Sequence, residues 1–78
     1  MVAIPPYEPM PLRSNDDGVI LVGNTRVPLD TVIDAYNDGN TPEDIVRQYT
    51  SLDLADVYSA IAYYLYHRDQ VTIYLQER

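Results

Sequence analysis

The chain has 78 residues, of which 46% are hydrophobic and 22% charged, and its 5 basic and 12 acidic residues leave a net charge of -7. A chain of this size fits one small domain that buries about 60% of its unfolded surface. That excludes a two-domain enzyme, a TIM barrel, or a Rossmann unit carrying a substrate domain. Every basic residue is an arginine (Arg13, Arg26, Arg47, Arg68, Arg78), and such a balance repels phosphate unless the positive charges are focused. Cysteine is absent, which excludes a disulfide scaffold, a thiolate zinc site and a Cys nucleophile. No apolar run approaches the ~18 residues that span a membrane. Met1-Val2-Ala3-Ile4-Pro5-Pro6 lacks the basic-then-apolar pattern of a secretory signal. The expectation is a soluble cytoplasmic protein with no membrane partner.

Residues 1–11 carry Pro5, Pro6, Pro9 and Pro11 and read as an extended, proline-rich N-terminal arm, with Tyr7 and Met10 available to lie along a partner's groove. The remaining residues, 12–78, read as one domain. Leu12-Arg13-Ser14 has strand length. Asn15-Asp16-Asp17-Gly18 is turn chemistry, and Val19-Ile20-Leu21-Val22 is a β-branched strand run. Gly23-Asn24 suits a tight hairpin, with Thr25-Arg26-Val27 as the returning strand and Pro28 as its stop.

From Leu29 the period becomes helical. Leu29, Val32, Ile33 and Tyr36 fall on one helix face, Asp30 and Asp34 favour the N-terminal end, and Gly39 is the left-handed cap. Thr41-Pro42-Glu43-Asp44 starts a second helix, with Thr41 as N-cap and Pro42 in the first position. Its inward residues are Ile45, Val46 and Tyr49. Asp53 caps a third helix that runs to about His67, with Leu54, Val57, Ile61 and Tyr64 as its core stripe. A last helix, about Asp69 to Glu77, offers Val71, Tyr74 and Leu75. The short link between helices two and three has helix-turn-helix proportions.

Three stretches together resemble a known family: Val22-Gly23-Asn24-Thr25-Arg26-Val27-Pro28-Leu29-Asp30-Thr31-Val32, Asp38-Gly39-Asn40-Thr41-Pro42-Glu43-Asp44-Ile45-Val46 and Leu52-Asp53-Leu54-Ala55-Asp56-Val57-Tyr58. In order and spacing they are similar to the bacterial domain-of-unknown-function family 433, also called antitoxin-like. The resemblance covers about residues 19–75. It implies a winged-helix or homeodomain-like helix-turn-helix fold. It also implies the antitoxin half of a bacterial toxin–antitoxin pair, beside a nuclease-type toxin of the PIN class. The sequence departs from the family pattern at Asn24, where a glycine usually precedes the Thr-Arg pair. Asparagine tolerates positive φ, so the turn is expected to survive. It departs again at Thr50, where a proline often follows the tyrosine that closes helix two.

Candidate chemistry is sparse. Base edges are read mainly by Arg, Lys, Asn and Gln, yet the start of helix three, Leu54-Ala55-Asp56-Val57-Tyr58-Ser59, carries none and is capped by Asp53. DNA is therefore disfavoured by charge. Arg13 and Arg26 are candidate contacts to an anion or a partner. For Arg26, an ion pair with Asp30 or Asp34 is the simpler role. His67 is the only histidine and suits the C-terminal end of helix three. The paired acids coincide with helix starts, where capping accounts for them. No metal, no cofactor and no enzymatic activity is expected.

All 8 aromatic residues are tyrosines: Tyr7, Tyr36, Tyr49, Tyr58, Tyr63, Tyr64, Tyr66 and Tyr74. A small chain cannot bury them all with every hydroxyl satisfied. Helix three carries a second apolar stripe, Tyr58, Ala62 and Leu65, and a helix apolar over most of its girth wants a second surface. Tyr58, Ala62, Tyr63, Leu65 and Tyr66 are therefore the candidate partner or dimer interface, with a homodimer or a docked toxin as occupant. The sequence thus reads as mainly α: a small helix-turn-helix domain of 3 to 4 helices with a short N-terminal β-hairpin. The expected function is a non-enzymatic, antitoxin-like protein-interaction module. The alternative is a DNA-binding, autoregulatory transcriptional regulator.

Overall fold

The computed structural model describes residues 10–78. The proline-rich arm, Tyr7 included, lies outside the described residues apart from Met10 and Pro11. Strand β1 (Leu12–Ser14) pairs antiparallel with β2 (Ile20–Val22), matching Leu12 with Val22, Arg13 with Leu21 and Ser14 with Ile20. Asn15 makes the turn between them. Its Oδ1 accepts the N–H of Asp17 at 2.9 Å and of Val19 at 3.0 Å, while Gly18 supplies a φ of 77°.

The returning strand expected at Thr25-Arg26-Val27 does not form. The Thr25 hydroxyl donates to the Val22 carbonyl at 2.7 Å and accepts the Val27 N–H at 3.1 Å, which coils this segment into a turn. Only one bridge, Leu21 to Pro28, follows on that side, and Pro28 has no N–H to extend it. Positive φ falls on Gly23 (60°), not on Asn24, so the family's usual glycine at position 24 is not required for this turn. The ladder also has a defect that the sequence repairs. Gly23 donates its N–H to the Pro11 carbonyl at 2.7 Å, but Pro11 has no N–H to return. Arg13 Nε donates to the Gly23 carbonyl instead, at 3.1 Å.

Four helices follow: α1 (Leu29–Asn37), α2 (Pro42–Gln48), α3 (Leu54–Tyr66) and α4 (Arg68–Gln76). The end of α1 is a Schellman closure. Gly39, at φ 97°, donates to the Tyr36 carbonyl at 3.0 Å and Asn40 donates to the Ala35 carbonyl at 3.1 Å. Thr41 and Asp44 form a reciprocal capping box on α2, each bond 3.1 Å. Asp53 stands at the N-cap of α3 with extended backbone, but its side chain makes no capping bond. His67 alone separates α3 from α4.

The helices and β2 enclose one apolar cluster, in which Val22, Leu29, Val32, Ile33, Ile45 and Val57 are fully buried. Two inward assignments are corrected. Leu54 is 40% exposed, and Leu52 in the preceding link takes the core position instead. The buried stripe of α3 is Val57, Ala60, Ile61 and Tyr64. Tyr49 is exposed because α2 ends before it and its backbone leaves the helix at the C-cap. Two elements close the outer edge of the hairpin: the Tyr74 hydroxyl of α4 accepts the Ile20 N–H at 2.7 Å, and the Val27 carbonyl, in the turn after β2, accepts the Val22 N–H at 3.0 Å. The outer edge of β2 is thereby occupied.

Candidate interaction surface

On α3, at 100° per residue, Leu54, Tyr58, Ala62, Leu65 and Tyr66 fall on one side, beside the buried stripe. All are exposed, with Leu54, Tyr58, Leu65 and Tyr66 at 40%, 50%, 48% and 86%. The single charge within α3 is Asp56. Its carboxylate lies against Gly23 and faces away from this side. The exposed side of α3 is therefore uncharged from end to end.

Four of the five expected interface residues, Tyr58, Ala62, Leu65 and Tyr66, come together here. Tyr63 does not join them. It is half-buried, tilts against the His67 ring at 4.5 Å between centroids, and lines an open groove with Leu12 and Ile20. Leu54 extends the side by one turn. Sequence periodicity placed it in the core because Leu54 fits the phase of Val57 and Ile61 as well as that of Tyr58.

Glu43 is a further member that sequence reading missed. It projects from the first turn of α2, and Tyr58 donates its hydroxyl to Glu43 Oε2 at 2.7 Å. The bond to Glu43 pushes the Tyr58 phenol up from its ordinary value, with desolvation adding a smaller rise. The opposite happens in the core. Asn37 donates to the Tyr64 hydroxyl at 3.5 Å, and this bond, followed by Arg68, holds the Tyr64 phenol below its ordinary value. Tyr64 also meets Tyr36 edge-on at 6.3 Å, and Arg68 lies over its ring at 5.3 Å.

The two arginine candidates have different places. Arg13 bridges the carbonyls of Gly23 and Thr25, at 3.1 and 2.9 Å. Arg26 is exposed and has no hydrogen bond or ion pair among the described residues. The ion pair expected between Arg26 and Asp30 or Asp34 is not formed among the described residues, and Asp30 pairs with Arg78 instead, at 2.8 Å. Among the described residues, no group of three His, Asp or Glu side chains is placed to hold a metal ion. Among the described residues, no helix is long and apolar enough to cross a membrane.

The model of the family DUF433, described as a protein of unknown function, matches residues 17–64. The chain belongs to DUF433. The match takes in the hairpin's second strand, α1, α2 and most of α3, including Leu54, Tyr58 and Ala62. Neither the curated proteins nor the solved structures contain a match to the chain.

Proposed function

We propose that this DUF433 chain is a non-enzymatic protein-interaction module, antitoxin-like, that neutralises a cognate protein by direct contact through the exposed side of α3. The observation that carries the reading is the uncharged surface of Leu54, Tyr58, Ala62, Leu65 and Tyr66 on a chain of net charge -7. Tyrosine and large aliphatic residues exposed together on a small acidic protein mark a contact surface. In this reading α2 and α3 form a helix-turn-helix unit adapted to protein rather than to DNA. α3 contains no Arg, Lys, Asn or Gln to read base edges, and Arg13 is already tied to backbone carbonyls. These features support the protein partner over the autoregulatory DNA-binding alternative.

The test is growth rescue. The product of the adjacent open reading frame, a PIN-type nuclease in this reading, is expressed alone and together with this chain. Rescue by the natural chain is expected, along with its loss in Tyr58→Lys, Leu65→Lys and Tyr66→Lys variants that still melt cooperatively. Rescue that persists in all three variants sinks the proposal. A gel-shift of the upstream promoter that weakens steeply with salt would establish the DNA-binding reading instead.

A further inference from the structure

The corner where Glu43 meets Tyr58 narrows what the α3 surface accepts. The uncharged side runs from Leu54 to Tyr66, ~20 Å at 1.5 Å per residue. Acids stand at its first end, Glu43 from α2 and Asp53 at the N-cap of α3, while at the far end Leu65 and Tyr66 line one depression with both Arg68 and Asp69. The Tyr58 hydroxyl gives its only proton to Glu43. What remains at this corner is carboxylate oxygen, phenol lone pairs and the face of a half-exposed ring. All of these accept, and none donates. A planar guanidinium matches such a set, since it can fork onto the carboxylate and lie flat on the ring at once, whereas an ammonium is a point charge that meets both only through a single centre.

Resting on the reading of α3 as a contact surface, we propose that its occupant is a basic amphipathic helix of a partner protein, with an arginine seated between Glu43 and the Tyr58 ring. Ala62, small and central, lets the partner helix approach closely. Charge complementarity favours this occupant over a second copy of the chain. Two copies would bring -7 against -7. Of the chain's five arginines, Arg13 is tied to carbonyls, Arg68 lies over Tyr64 and Arg78 pairs with Asp30, while Arg47 makes only an exposed surface pair with Asp44 at 3.4 Å. The fifth, Arg26, lies in the turn after β2 and not on α3.

The probes are three synthetic amphipathic helices with one leucine stripe, flanked by arginines, by lysines or by glutamates. Each is titrated into the isotope-labelled full chain and followed by NMR. Shifts are expected at Glu43, Leu54, Tyr58, Ala62, Leu65 and Tyr66. The arginine-flanked helix should bind about tenfold more tightly than the glutamate-flanked one, and lose affinity with salt. Glu43→Gln should weaken the arginine-flanked helix about twofold to fivefold and leave the glutamate-flanked one unchanged. Equal affinity for all three helices, shifts on another face, or a chain that sediments as a dimer and binds no helix would each overturn the proposal. If growth rescue depends on Tyr58 and Leu65 while the helices bind without charge preference, the contact reading stands and the arginine seat falls.

Discussion

Asp56 closes over Gly23: a Cβ at position 23 would lie 2.6 Å from Asp56 Oδ2. Gly23 also holds a φ of 60°, a conformation that costs an L side chain about 1 kcal/mol or more. Gly23→Ala should therefore destabilise the chain by about 1–3 kcal/mol, read as a lowered denaturant midpoint. Removing the carboxylate as well, in Gly23→Ala/Asp56→Ala, should recover the clash but not the backbone component. Strict additivity of the two substitutions in a double-mutant cycle would disprove the contact.

Arg13 and Arg26 sit on the same small subdomain but should behave oppositely. Arg13→Ala removes donors from the Gly23 and Thr25 carbonyls and should cost about 1 kcal/mol. Arg26→Ala should leave the melting temperature unchanged within about 0.5 kcal/mol of stability. Thermal melts of the two variants side by side check this, and equal losses would count against the assigned roles.

Tyr74→Phe leaves the Ile20 N–H without its acceptor. The expected loss is about 1 kcal/mol, with faster hydrogen exchange at the Ile20 amide and little change at amides of α2. Unaltered exchange at Ile20 would show that the phenol does not hold the strand.

The Asp44 carboxyl lies below its ordinary pKa because the Thr41 N–H, then the Thr41 hydroxyl, bond its charged form, with Arg47 contributing less. A carboxyl depressed in the folded state stabilises above its unfolded pKa, and that stability is lost as pH falls through the depressed value. Stability should therefore drop in the acid range in the natural chain, and less so in Asp44→Asn. Thr41→Ala should cost about 1 kcal/mol near neutral pH. Parallel acid dependence in the natural chain and Asp44→Asn would contradict this assignment.

Substitutions inside and outside the core should separate cleanly. Ile45→Val, at a fully buried position, should cost about 0.5–1.5 kcal/mol. Leu65→Ser, on the exposed side of α3, should change stability by no more than about 0.5 kcal/mol. Chemical denaturation of both variants tests whether the α3 surface is free in the isolated chain.

Helix positions were legible where a local bond fixes them. Thr41-Pro42-Glu43-Asp44 and Gly39 announce their caps, and both act within a few residues of themselves. The hairpin was less legible, because both Asn15–Gly18 and Gly23-Asn24 carry turn chemistry and β2 could pair to either side. Thr25 decided the matter by bonding Val22 and Val27, a contact that competes with a strand but leaves no periodic trace. The phase of α3 was ambiguous in the same way. Leu54 fits two stripes, and Leu52, lying outside any helix, fills the core place. Glu43 escaped notice because its partner Tyr58 is on another helix, and single-sequence periodicity carries no information between elements.

The ties made by the last helix have a bearing on how the protein is born. Tyr74 reaches back 54 positions to Ile20 and Arg78 reaches back 48 to Asp30. On the ribosome, α1, α2 and α3 can assemble as they emerge, but the Ile20 end of the hairpin's outer edge lacks its acceptor until Tyr74 has left the exit tunnel. Closure of that edge thus waits on a contact made across 54 positions, and a nascent chain stalled short of Tyr74 would leave the Ile20 N–H open to its neighbours.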